Sequence, residues 1–211
     1  MHRVIAIDGP AASGKSSVAR LLAQRLGFEY VNSGALYRAL TWHVLQNGVA
    51  LHNREAIARL AGAARVQFHD SRVLINGTDS TVHLRDNAVN SAVSLVSQVP
   101  QVRAVVNGLL RGYARERDAV IEGRDIGSAV FPATAFKFYI DASPEVRWQR
   151  RAAQGEHDTI TARDELDSAR TIAPLIIAPD ADLIDTSALS IDEVSREILR
   201  RLHGKGLAQA G

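Results

Sequence analysis

The sequence predicts an α/β fold, a parallel sheet with helices on both faces. Three observations carry that expectation: short aliphatic runs alternate with longer amphipathic stretches, the N-terminal segment reads strand, glycine loop, helix, and later aliphatic runs end on acidic or small residues. Residues 3–7 form the first buried strand, 9–16 a loop, and 16–26 a helix stopped by Gly27. Further strands are expected at 119–121, 136–140 and 183–184, and helices at 35–46, 102–116, 144–153 and 191–202. Residues 65–69, a polar Asp70-Ser71 turn and 72–77 break the pattern and read as a hairpin in a small inserted subdomain. The uncharged stretch 87–102, rich in Ser, Asn and Gln, suits a polar-lined helix facing a ligand. Trp42 and Trp148 lie on amphipathic helices and are expected to be packing residues.

Composition narrows the chemistry. At 211 residues with 46% hydrophobic and 23% charged, the chain is long enough to bury a sizeable core as one folding unit. It has no cysteine, which excludes disulfides, thiolate metal sites and thiol nucleophiles. Its 25 Lys and Arg face 23 Asp and Glu, so the net charge of +2 creates no bulk field calling for a nucleic-acid partner. Of those 25 basic residues 22 are Arg, the side chain suited to planar, bidentate contact with phosphate. The histidines are dispersed, without the i, i+4 spacing of metal ligands. The sequence lacks an apolar run of about 18 residues, and its first segment turns acidic at Asp8, so a cytoplasmic protein without a membrane partner is expected.

The sharpest signal is Gly9-Pro10-Ala11-Ala12-Ser13-Gly14-Lys15-Ser16, which fits G-x-x-x-x-G-K-[ST] between a strand and a helix. Gly9 and Gly14 let the backbone turn tightly and present successive N–H groups to phosphate oxygens at the positive end of the helix. Lys15 would reach the β- and γ-phosphates, and Ser16 would place its hydroxyl on Mg²⁺; Ser17 follows it in the ATP-binding set. A phosphate loop alone leaves open a kinase, an NTP-driven switch or a binding module. No N-K-x-D tetrad for reading guanine is present, which favours a small-molecule kinase.

Three further segments concern an acceptor. Asn32-Ser33-Gly34-Ala35-Leu36-Tyr37-Arg38 opens a helix that Ser33 can cap, with Arg38 one turn further on. Glu122-Gly123-Arg124-Asp125 follows a strand, and Arg163, Asp167 and Arg170 recur at i, i+4 and i+7, on one helical face.

Together with Ile7-Asp8-Gly9-Pro10 and Ala173-Pro174-Leu175, these segments make the chain resemble the bacterial cytidylate (CMP/dCMP) kinases, nucleoside monophosphate kinases of the P-loop superfamily, from about residue 4 to 194. The resemblance implies a P-loop NTPase three-layer sandwich in a single domain spanning 1–211. It also implies a β-containing monophosphate-binding insert at about 62–98 and a short lid at about 151–164. The implied reaction moves the γ-phosphoryl group of Mg-ATP to CMP or dCMP in a cytoplasmic monomer. Position by position, Ser33 joins the acceptor site, Arg38, Arg124 and Arg163 lie near the acceptor phosphate, and Asp167 with Arg163 lies at the ribose hydroxyls. By the same resemblance, Ser94, Arg103, Asp125 and Arg170 would read the cytosine edge. Arg150 and Arg151 resemble lid arginines closing over the triphosphate, beside the catalytic Lys15, Arg124 and Arg163.

Glu122 stands where the family often has Asp, and is expected to hold Mg²⁺ through water. Only eleven residues separate Arg151 from Arg163, a shorter lid than in many relatives. The arginines also admit a reading as structural ion pairs, and Asp8 and Asp125 as braces for their loops.

Overall fold

The structure, a computed structural model, describes residues 2–69, 72–153 and 175–207. In chain order its elements are β1 (Val4–Asp8), α1 (Lys15–Leu26), β2 (Glu29–Asn32), α2 (Ser33–Gln46), α3 (Arg54–Ala63), β3 (Val66–His69), β4 (Arg72–Ile75) and β5 (Thr78–Asp79). There follow α4 (Asn87–Val96), α5 (Pro100–Tyr113), β6 (Ala119–Gly123), β7 (Phe136–Asp141), α6 (Pro144–Ala153), β8 (Asp182–Asp185) and α7 (Ile191–Gly204). A 3-10 turn occupies Thr81–His83 and a π-type turn Ile126–Val130. The chain divides into two compact units, Met1–Val31 with Tyr113–Gly211, and Asn32–Gly112.

In the first unit, the described strands form a five-stranded sheet in the order β2-β6-β1-β7-β8. β1 runs parallel to β6 and β7, and β7 parallel to β8. A central strand of a parallel sheet is covered on both sides, which is why β1 is apolar from Val4 to Ile7 and buried throughout, the terminal Asp8 included. Its register pairs Asp8 with Gly123, so the carboxyl ends of β1 and β6 lie side by side, the edge where ligands bind in open α/β sheets. The core of this unit joins Ile5, Ile7, Phe138 and Ile140 of the sheet to Val18 and Leu22 of α1 and Ile198 and Leu202 of α7. A capping box fixes the start of α7: Ser190 Oγ accepts from the Glu193 N–H and Glu193 accepts from the Ser190 N–H.

In the second unit, β3, β4 and β5 form an antiparallel sheet. β3 and β4 are the expected hairpin; its Asp70-Ser71 turn lies outside the described residues. β5 was not expected. It returns through Asn76 and Gly77, both at positive φ (52° and 83°), as a two-residue type I′ connection requires. The stretch 87–102 is two helices rather than one: α4 ends at Val96, and Pro100 starts α5. Proline disfavours helical backbone at Val99 and tolerates the first helical position, so the chain breaks there. The helix α3 also went unexpected. The segment 62–98 contains β3, β4, β5 and α4, inside a compact unit that extends from Asn32 to Gly112. Trp148 corrects the packing expectation, being 67% exposed on α6, whereas Trp42 stacks on His83 with ring centroids 5.5 Å apart.

Candidate active site

The phosphate loop joins β1 to α1, and its geometry explains its glycines. A Cβ at Gly9 would lie 2.0 Å from the Ile140 carbonyl oxygen of β7, and Gly9 has φ of 151°. Gly14 takes the left-handed conformation at the head of α1, which has no side-chain cap and turns the positive end of its dipole to the loop. Ala12 is a non-glycine residue at positive φ (59°), local strain of the kind that collects at binding loops. The Lys15 Nζ, buried, donates to the Pro10 carbonyl at 2.8 Å, so its ammonium lies over the loop.

The outward carbonyls of the loop are held from α6 and from the end of β8. Arg147 Nη1 donates to the Ala11 carbonyl at 3.3 Å, and Arg150 Nη1 to the Ser13 carbonyl at 3.3 Å. Arg150 also donates to the Thr186 hydroxyl (3.0 Å) and carbonyl (2.8 Å). The Thr186 hydroxyl in turn lies 2.9 Å from the Ser13 carbonyl and 3.0 Å from that of Asp141, both acceptors.

Behind the loop, Ser16 Oγ donates to Glu122 Oε2 at 2.7 Å, and the Tyr30 hydroxyl donates to Glu122 Oε1 at 2.7 Å. Glu122 is only 2% exposed. An alcohol oxygen and a carboxylate oxygen in contact at a phosphate loop are hard donors, and so sparse a protein donor set fits Mg²⁺, which keeps most of its waters and takes the rest from phosphates. Among the described residues no cluster of three or more His, Cys, Asp or Glu offers a competing metal cage.

Beyond β6 the chain bends through Arg124 and the buried Asp125 into the turn Ile126–Val130. Arg124 Nη1 lies 3.4 Å from the Gly123 carbonyl. Asp8, 5% exposed, accepts from the N–H groups of Ile126 (2.8 Å) and Gly127 (2.7 Å). Burial pushes its carboxyl up to about 6, against the opposing pull of those two N–H donors.

In the second unit, Asn32 rather than Ser33 caps α2: its Oδ1 accepts from the Ala35 N–H at 3.2 Å, and Ser33 is the first helical residue, buried. Arg38 Nη1 donates to the Leu84 carbonyl (2.8 Å) and to Asn90 Oδ1 (2.5 Å). Ser94 and Arg103 are both buried, and the Arg103 guanidinium lies over the Tyr37 ring, 5.6 Å from its centroid.

The family model for cytidylate kinase matches residues 5–204. The chain belongs to the cytidylate kinase family. It is 42% identical to the cytidylate kinase of Pelotomaculum thermopropionicum, covering 94% of this chain and 95% of that one. It is 40% identical to that of Neisseria meningitidis serogroup A, covering 94% and 96%. Among solved structures, shikimate kinase from Acinetobacter baumannii has a TM-score of 0.51 at 15% identity, covering 99% of this chain and 97% of that one. A gluconokinase from Sinorhizobium meliloti 1021 also gives 0.51, at 14% identity and covering 97% and 93%. At that identity the likeness shows the fold, the α/β P-loop kinase class expected from the sequence.

Of the cytidylate kinase positions carried from the sequence, the structure brings together Gly9 to Ser16, Glu122 and Arg150 in the first unit. Arg151 lies half-buried on the last turn of α6. Arg163, Asp167 and Arg170, with the lid beyond Ala153, lie outside the described residues. Three contributors are absent from that reading of the sequence, Tyr30, Arg147 and Thr186, whereas Asp8 takes the bracing role that the sequence admits. Arg147 was legible as a third arginine on the helix of Arg150 and Arg151, one turn before Arg150. The Thr186 contacts depend on β8 lying beside β7, which no local pattern encodes.

Proposed function

We propose that this chain is an ATP-dependent (d)CMP kinase that transfers the γ-phosphoryl group of ATP to CMP or dCMP, giving CDP or dCDP and ADP. The observation that carries the reading is the complete phosphate loop, with Ser16 and Glu122 in contact behind it, in a chain matched by the cytidylate kinase family over nearly its whole length.

The attacking atom belongs to the acceptor phosphate, so the protein needs no nucleophile of its own; it positions two phosphates and neutralises charge. The loop N–H groups and Lys15 would hold the β- and γ-phosphates, while Arg147 and Arg150 keep the loop carbonyls turned away from them. When bound, Mg²⁺ would supply charge neutralisation for the transferred phosphoryl group. Ser16 would hold it, with Glu122 acting directly or through water.

Arg38, Arg124 and Arg163 would neutralise the acceptor phosphate, with Ser33 near it and Asp167 on the ribose. Ser94, Arg103, Asp125 and Arg170 would read cytosine, whose amino group donates to a carboxylate while N3 and O2 accept from Arg or Ser. Uracil reverses donor and acceptor at one edge and is rejected. Arg150 and Arg151 would close over the triphosphate with the lid and Arg163 would serve both substrates, closure keeping out water as a competing acceptor. The same reading has it act as a cytoplasmic monomer. Among the described residues no helix is long and apolar enough to cross a membrane.

The test is ADP production from Mg-ATP with CMP, dCMP, UMP, AMP or no acceptor. Turnover with CMP and dCMP alone is expected. Lys15→Ala should abolish it, and Arg170→Ala should damage CMP use far more than residual ATP hydrolysis. Activity that is independent of acceptor, or absent with every nucleotide, overturns the proposal.

A further inference from the structure

Asp8 is the last residue of β1 and immediately precedes the phosphate loop, yet its side chain turns away from the loop toward the chain that leaves β6. Its two oxygens divide their work: Oδ1 accepts from Ile126 N–H at 2.8 Å and Oδ2 from Gly127 N–H at 2.7 Å. These are the two residues following Arg124 and Asp125. The same turn is closed on its other side by Asp125 itself, whose carbonyl accepts from the N–H groups of Ala129 (2.9 Å) and Val130 (3.2 Å). Its floor is fixed as well. A Cβ at Gly127 would meet Lys137 Cγ and Cδ at 3.2 Å and Asp8 Oδ2 at 3.4 Å. Lys137 cannot easily yield, because its Nζ is held by the Pro132 carbonyl (2.6 Å) and both oxygens of Asp180 (2.8 and 2.6 Å).

A carboxylate this deeply buried is costly to keep unless its partners matter. An apolar side chain would fill the space, but it would leave two buried N–H groups unsatisfied and the turn free to relax. The arrangement therefore does more than brace a generic loop: it anchors the backbone directly next to the guanidinium and carboxylate assigned to the acceptor.

We propose that Asp8 is a positioning residue for the acceptor nucleotide, fixing the Arg124–Asp125 turn against the end of β1 through the Ile126 and Gly127 N–H groups. The inference rests on the reading of Arg124 and Asp125 as acceptor-binding residues. It assigns Asp8 to the acceptor side although the residue adjoins the ATP loop in sequence.

Steady-state kinetics of Asp8→Asn, with folding checked by thermal denaturation, separates the possibilities. Asparagine keeps one acceptor oxygen but points an amide donor at the second N–H. The KM for CMP should rise at least tenfold while the KM for ATP stays within twofold, and amide exchange at Ile126 and Gly127 should accelerate. Asp8→Ala should exaggerate the same asymmetry. If Asp8→Asn does not fold, Gly127→Ala displaces the turn without changing the carboxylate and should raise the KM for CMP alone. Equal changes in both KM values, a change in ATP alone, or no change in either overturns the positioning role while leaving the kinase reading intact. Absence of CMP-dependent turnover in the wild type overturns the kinase reading and this inference with it.

Discussion

The Ser16 hydroxyl donates to the Glu122 carboxylate at 2.7 Å, tying the first turn of α1 to the end of β6 across 106 residues of sequence. Tyr30 from β2 holds the other carboxylate oxygen, so the orientation of Glu122 is set from two sides. Groups that orient a metal-binding carboxylate tune affinity even without touching the metal. Glu122→Gln keeps the shape and removes the charge; kcat should fall about a hundredfold, and half-saturating Mg²⁺ should rise about tenfold or more. Tyr30→Phe removes only one donor and should shift the Mg²⁺ requirement by less than about tenfold. Magnesium titrations of the three proteins check this order, and a chelator should abolish activity reversibly.

Gly9 and Gly27 both have positive φ, but their surroundings differ. A Cβ at Gly9 meets the Ile140 carbonyl at 2.0 Å, whereas one at Gly27 meets nothing within 4 Å. Gly27→Ala should cost only the conformational strain of a left-handed residue, about 1 kcal/mol. Gly9→Ala must push β1 from β7 or distort the loop, and should cost more than about 3 kcal/mol with loss of ATP binding. Chemical denaturation of both variants measures the difference.

The contrast between what local sequence encodes and what it does not is clearest in the second unit. The Asn76-Gly77 pair is a hairpin signal in its own right, and β5 follows from it, although the aliphatic run 72–75 reads straight into it as one strand. Pro100 marked the end of α4 equally plainly, yet the uncharged composition of 87–102 suggested a single helix. These were local signals outweighed by a broader pattern. The phosphate loop, by contrast, was legible in full because its glycine spacing, lysine and flanking elements are contiguous. Tyr30 on Glu122 and Thr186 on the loop are products of strand order, and only the assembled sheet reveals them.

Thr186 binds the loop from the end of β8 through a single hydroxyl. Thr186→Val keeps the volume and removes the donor, so of the two side chains described on the Ser13 carbonyl Arg150 remains. A loss of about 1 kcal/mol in loop order should raise the KM for ATP about fivefold and leave that for CMP unchanged. Thr186→Ser should restore it.

The buried carboxyl of Asp8 also leaves a mark on stability against pH. Its folded-state value, pushed from 3.8 up to about 6, means that the native protein binds this proton more tightly than the unfolded chain. The associated stability is fully present below about pH 3.8 and is lost as pH rises through about 6, a total of about 3 kcal/mol. Surface carboxylates act in the opposite sense. Glu197, held down to about 2 by Arg200 and Arg201, contributes stability at neutral pH that is lost only as pH falls. The raw stability curve therefore mixes both trends, and the difference between wild type and Asp8→Asn isolates one. Replacing the carboxyl adds a constant penalty for the misdirected amide, but the slope belongs to the titration. Wild-type stability relative to Asp8→Asn should decline between pH 4 and 6 and become level above about pH 7. A difference that is flat throughout, or that rises with pH, would show that the Asp8 carboxyl is not the raised group its burial requires.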